Sequence, residues 1–64
     1  MSYMLFEVWA EDESGHQELL DTTASQKEAF EIAESALGLG YMAGIVFQED
    51  EAGDLREIRR YEHG

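Results

Sequence analysis

Hydrophobic and polar positions change period twice along this chain. Residues 3–10 alternate, with Met4, Phe6, Val8 and Ala10 on one side and Tyr3, Leu5, Glu7 and Trp9 on the other. A period of two is that of a β-strand, and the wholly apolar first set is expected to meet a second layer. Residues 11–17 read as a hairpin loop turning at Gly15, and residues 18 to about 23 as a shorter, more polar strand suited to a sheet edge.

Residues 25–38 switch to the helical period. Ala29, Ile32, Ala33, Ala36 and Leu37, with Phe30 at the margin, fall in one arc at about 100° per residue. Glu28, Glu31, Glu34 and Ser35 lie opposite. Ser25 followed by Glu28 has the spacing of a capping box, in which each side chain accepts from the other residue's backbone N–H. Gly38 is expected to close the helix in the left-handed conformation.

Alternation then returns. Residues 41–48 form a strongly apolar strand, with Ala43, Ile45 and Phe47 expected toward the helix and Met42, Gly44 and Val46 away from it. Residues 49–54 are an acidic turn with Gly53, and residues 55–61 a last strand. There Leu55 and Ile58 cannot share a face without a bulge. The order β-β-α-β-β, with the first and third strands the most apolar, predicts a four-stranded antiparallel sheet of order 2-1-3-4. One helix covers one face, giving a two-layer α+β fold in a single domain, residues 1–64, undivided by repeats or linkers. The β2-to-β3 connection is expected to be right-handed. Tyr3, Leu5, Trp9, Met42 and Val46 would then point to the uncovered face. That face is either shielded by arginine stems from the last strand or used for docking or dimerisation.

Composition changes this picture in one respect. Fifteen acids oppose four bases, for a net charge of −11. Residues 1–55 hold thirteen acids and one base, Lys27, while Arg56, Arg59 and Arg60 sit in the last strand. Self-repulsion opposes folding of such a chain, so the acidity costs something that solubility alone does not require. Nucleic acid and anionic membranes are poor partners for it, and a basic protein surface a good one. With no cysteine there is neither a disulfide framework nor a thiolate metal site. No apolar run approaches the ~20 residues that span a bilayer, and no basic segment precedes the first apolar one as in a signal peptide. These features point to a cytoplasmic protein.

Candidate chemistry is sparse. Glu49-Asp50-Glu51-Ala52-Gly53-Asp54 lacks the alternating acids and the distant bidentate glutamate of a calcium loop. His16 and His63 lack ligand spacing. Ser14 near His16 has no orienting acid in a defined geometry. Gly38-Leu39-Gly40 leaves a helix, whereas phosphate loops enter one. The arginines are interrupted by Glu57 and Glu62, so they are expected to pair with acids across the sheet rather than bind nucleic acid. No cofactor, metal or catalytic residue is expected.

What remains is the displayed charge: Glu11, Asp12 and Glu13 in one loop, Glu49, Asp50, Glu51 and Asp54 in the other, and Glu28, Glu31 and Glu34 along the helix. The loops are expected at opposite ends of the sheet, about 20–25 Å apart, with the helix row bridging them. In size, lack of cysteine and displayed acidity the chain resembles the small inhibitors carried by phages and other mobile elements, anti-CRISPR proteins in particular. The resemblance is one of whole-chain character. It implies a DNA mimic that occupies the basic groove of a nuclease or surveillance complex in a bacterial host cell. A second likeness is to small bacterial β-α-β-β domains ending in a turn, a strand and a final tyrosine, here residues 51–61, and it implies no activity.

The sequence therefore leads to a non-enzymatic inhibitor that binds a nucleic-acid-binding protein through these ten carboxylates. The alternative is a dimerising module that works through Tyr3, Trp9 and Met42.

Overall fold

The computed structural model describes residues 4–63. Its elements are β1 (Leu5–Glu11), β2 (Gln17–Thr23), α1 (Gln26–Gly38), β3 (Ala43–Glu49) and β4 (Leu55–Glu62). The strands form one antiparallel sheet of order β2-β1-β3-β4, with α1 packed on one face. Among the described residues no helix is long and apolar enough to cross a membrane.

Alternation in β1 holds as expected: Phe6, Val8 and Ala10 are buried beneath the helix. Met4, expected on the same side, precedes the strand and is exposed, while Tyr3 lies outside the described residues. Ala29, Ala33 and Ala36 are the fully buried positions of α1, with Phe30, Ile32 and Leu37 half-buried around them. Small side chains along this stripe let the helix axis come close to the sheet.

The helix ends differ in detail from the expectation. Ser25 caps the N-terminus by accepting from the Glu28 N–H at 3.1 Å. The reciprocal half of the capping box is absent, because the Ser25 N–H donates to Thr23 Oγ1 at 3.1 Å instead. At the other end Gly38 remains helical, and Gly40 takes the positive φ of 102°. The Gly40 N–H donates to the Leu37 carbonyl and the Tyr41 N–H to that of Ala36, both at 3.2 Å, which is a Schellman closure two residues later than Gly38 predicts.

The facing of β3 reverses the expectation. Val46 is the direct cross-strand partner of Val8 and packs in the same buried cluster beneath the helix. Gly44 also faces α1, and a Cβ built there would run into the Ala33 carbonyl. Ala43, Ile45 and Phe47 therefore point to the uncovered face. The physical reason is clearance: the strand passes so close to the helix that only a residue without a side chain fits. Ile45 is nonetheless fully buried, flanked by its cross-strand partners Trp9 and Arg60.

β4 does carry a bulge, but not one that brings Leu55 and Ile58 to the same face. Register shifts between Val46 and Phe47, leaving Ile58 unpaired and packed toward the core, while Leu55 stays on the open side opposite Glu49. The same shift occurs in β2, where Leu20 is unpaired opposite Val8 and Trp9.

These two bulges reveal an internal repeat that the sequence reading missed. Adding 38 to each residue number of the β1–β2 register reproduces the β3–β4 register pair for pair: Phe6–Thr23 becomes Gly44–Tyr61, and Trp9–Leu19 becomes Phe47–Glu57. Leu20 maps onto Ile58 and Val8 onto Val46. The sheet is thus two equivalent hairpins related by an approximate two-fold axis through the Val8–Val46 pair.

Candidate functional site

The repeat extends into the acidic turns. Glu11-Asp12-Glu13-Ser14-Gly15-His16 maps onto Glu49-Asp50-Glu51-Ala52-Gly53-Asp54, and the two segments make the same hydrogen bonds. The Gly15 N–H donates to the Asp12 carbonyl at 3.0 Å and the Asp12 N–H to that of His16 at 2.9 Å. The equivalent Gly53–Asp50 and Asp50–Asp54 bonds are both 3.0 Å. Gly15 and Gly53 have φ of 90° and 86°. Each is a type I turn followed by a glycine bulge, the usual three-residue hairpin connection.

In both turns the aspartate side chain holds the loop shut. Asp12 Oδ1 accepts from the backbone N–H of Ser14 at 2.9 Å and of His16 at 3.0 Å. Asp50 Oδ1 accepts from those of Ala52 and Asp54, both at 2.9 Å. Asp12 also takes the Ser14 hydroxyl at 2.7 Å, and this bond leads the interactions that hold its carboxyl below the usual aspartate value. Two of the ten expected partner-binding acids are therefore turn-forming residues first. The other hairpin acids divide by exposure: Glu13, Glu51 and Asp54 are exposed, Glu11 and Glu49 half-buried.

Ser14 does have an acid in a defined position, contrary to the sequence reading. Its hydroxyl lies 2.7 Å from Asp12 and 3.2 Å from His16 Nδ1. The order is wrong for nucleophile activation, because the carboxylate binds the serine directly instead of orienting the histidine. Among the described residues, no three acidic, histidine or cysteine side chains converge as a metal site.

The turns stand at opposite ends of the sheet. Seven β1 residues separate them, about 20–23 Å at ~3.3 Å per residue, in a molecule 38 Å long. The helix spans the same interval. It starts beyond Thr23, whose partner Phe6 lies at the Glu49 end, and it exits where the Met42 N–H donates to the Glu11 carbonyl. Glu28, Glu31 and Glu34 are all exposed and make no ion pair among the described residues. Steps of three residues rotate about 60° backward on a helix, so these acids form a short spiral rather than a straight row. Glu31 and Glu34 line an open groove between α1 and β4 with Phe30, Ser35, Gly38 and Tyr61, about 360 Å³ in volume, and Glu28 lies outside it.

At the Glu11 end, a second groove of about 390 Å³ gathers Glu11, Asp12, Glu13 and Met42 with Glu62 and His63. The last two were not among the expected site residues. The antiparallel register of β4 brings them there, since Glu62 pairs with Ala43 and Ala43 with Glu11. Arg60 contacts Glu57 at 3.4 Å and Glu62 at 3.9 Å, so its ion pairs lie within β4 and not across the sheet as expected. Arg59 instead places its guanidinium 5.6 Å from the Phe30 ring centroid and 5.1 Å from that of Tyr61.

On the uncovered face Trp9 is half-buried, its indole N–H donating to Glu7 Oε1 at 3.0 Å. Met42 is 46% exposed and lies just before β3. Tyr3 is outside the described residues, and Val46, expected on this face, lies under the helix. Leu19 and Leu55, which the sequence reading did not select, are 48% and 45% exposed. Set against models of known protein families, curated proteins and solved structures, the chain matches none.

Proposed function

We propose that the chain is a non-enzymatic inhibitor that binds a basic nucleic-acid-handling protein, its carboxylates standing where phosphates of DNA or RNA otherwise sit. The observation that carries this reading is the duplicated acidic turn. One rigid device, built twice, presents negative charge at both ends of the sheet, and Glu31 and Glu34 add charge along the helix between them. Carboxylates fixed at intervals along an extended surface pair well with arginine and lysine side chains arranged to hold a phosphate backbone. Such association is fast and weakens as salt rises.

The test is capture of host proteins on the tagged chain after nuclease treatment, eluted with a salt gradient. A nucleic-acid-binding protein that leaves at moderate salt, and is lost from a Glu13→Lys/Glu49→Lys variant, supports the reading. Capture unchanged by these reversals sinks it. Both substitutions spare Asp12 and Asp50, which the turns need.

A second reading, an accessory module docking or dimerising through the uncovered face, draws on Leu19, Leu55 and half-buried Trp9. Two copies would bring together charges of −11 each. A sedimentation measurement across micromolar concentrations separates the two readings.

A further inference from the structure

The sheet ends on two strands that each have one neighbour among the described residues: β2 pairs with β1, and β4 with β3. Their outer backbone N–H and C=O groups are free edges that another strand can use. We infer that the β4 edge of one chain takes the β2 edge of a second copy, continuing the antiparallel sheet head to tail from copy to copy.

Strand direction allows this junction. β2 and β3 both run antiparallel to β1, and β4 runs antiparallel to β3, so β2 and β4 point opposite ways. A copy shifted sideways, with its helix on the same face, therefore presents β2 antiparallel to β4.

Charge selects it. On the helix side of the sheet the exposed β2 residues are Glu18 and Asp21, paired with Ala10 and Val8. Their counterparts on β4 are Arg56 and Arg59, paired with Gln48 and Val46 and also exposed. None of these four is in an ion pair among the described residues. With Arg56 set opposite Asp21, Arg59 falls opposite Glu18, and two ion pairs span the junction. Two β2 edges would set acid against acid and two β4 edges base against base, so unlike edges are the ones that attract.

The bulges make the match specific. Residues three apart on a regular strand lie on opposite faces. The bulge at Leu20 brings Glu18 and Asp21 to one face, and the bulge at Ile58 does the same for Arg56 and Arg59. An ordinary strand cannot follow either edge, which is how bulges protect a sheet from unwanted pairing. The other edge of this chain can, because it carries its bulge between the same two positions. The contact is short, seven residues of β2 against eight of β4, and each copy carries a charge of −11. Association is therefore weak and reversible, appearing at high protein concentration.

The experiment follows amide NMR shifts and line widths of the full chain on dilution from about 2 mM to about 20 μM. It is repeated for Asp21→Lys, for Arg56→Glu and for the two combined. The parent should show concentration-dependent shifts on β2 and β4 together. Each single reversal should weaken association about fivefold. Asp21→Lys is the sharper test, since it also lowers the net negative charge, and repulsion alone would then strengthen association. The combined variant keeps the parent's net charge and should recover the parent's behaviour. Residues 21 and 56 lie on opposite edges of one chain, so recovery comes from contact between copies. All three variants leave Arg59 on the rings of Phe30 and Tyr61, and amide dispersion confirms that each is folded.

Shifts that are absent at the highest concentration, confined to β2 or β4 alone, or centred on Trp9 and Ile45 of the open face would overturn the inference. So would stronger association of Asp21→Lys, or a combined variant that stays as weak as the singles.

Discussion

Val8 and Val46 are direct cross-strand partners, both fully buried, and the two hairpins of the sheet are related through that pair. Each valine plays the same part in its own hairpin, opposite a bulge that turns Leu20 or Ile58 toward the core. Val8→Ala and Val46→Ala should therefore destabilise the fold by similar amounts, about 2 kcal/mol each from lost burial and the space left behind. Urea unfolding of the two variants checks this. A cost confined to one of them would mean that the equivalence stops at the backbone.

The repeated turns make a second paired prediction. Asp12→Ala and Asp50→Ala each remove the acceptor for two backbone N–H groups, so each should lower Tm by several degrees, and by about as much as the other. For Asp12 a pH signature follows. Its folded-state value lies below the ordinary 3.8, chiefly through the Ser14 hydroxyl, so its contribution is full above that value and is lost as pH falls through the lower folded one. Asp12→Asn keeps an oxygen in place but does not titrate. The Tm difference between parent and Asp12→Asn should be constant at pH 5–6 and shrink below about pH 4.

Three glycines separate three effects of an added methyl group. Gly38 is helical and a Cβ there meets nothing within 4 Å, so Gly38→Ala should stabilise by about 0.5–1 kcal/mol. Gly40, at φ of 102°, should cost about 1–2 kcal/mol on the same change. Gly44→Ala should cost about 3 kcal/mol or more, because the obstacle is the backbone of Ala33 and not a side chain that can swing aside. Thermal melts of the three variants would reveal any departure from this order.

Trp9 covers more than it exposes. It is half-buried beside Ile45, which has no accessible surface of its own. Trp9→Ala should cost about 2 kcal/mol, and Trp9→Phe less than half of that. Denaturant unfolding followed by circular dichroism reads both. If Trp9→Ala instead leaves stability intact and changes only the sedimentation coefficient, the indole belongs to an interface between copies.

Much of this architecture was legible in the sequence because β1 and α1 each have one wholly apolar side. Periodicity then fixes which residues face inward, whereas β4, with Leu55 on the open side and Ile58 in a bulge toward the core, does not show its register by alternation. In β3 it fails. Ala43 to Phe47 is apolar or small at every position, so either face could be turned inward on pattern alone. The clearance over Gly44 decides, and that is a property of the packed pair. The duplication was hidden for a related reason. Backbone register is shared throughout, but side chains coincide at few positions, chiefly Glu-Asp-Glu, the turn glycine and the Val8–Val46 pair. Arg56, Arg59 and Arg60 stand where the first hairpin has Glu18, Asp21 and Thr22. The turn role of Asp12 and Asp50 could have been read from an aspartate three residues before a glycine in a hairpin loop.

Equivalent hairpins are, in principle, interchangeable. A chain that made the β3–β4 hairpin first, then the helix, then the β1–β2 hairpin would trace the same sheet, with the helix running the other way along the same seat. Backbone geometry does not distinguish these two orders. The residue that maps onto Gly44 is Phe6, and in the permuted arrangement the helix would meet a phenyl ring where it now passes over bare backbone. One glycine against one phenylalanine thus breaks the symmetry of the sheet, and the helix, whose direction the β2-to-β3 connection sets, lies with Ala33 over the glycine.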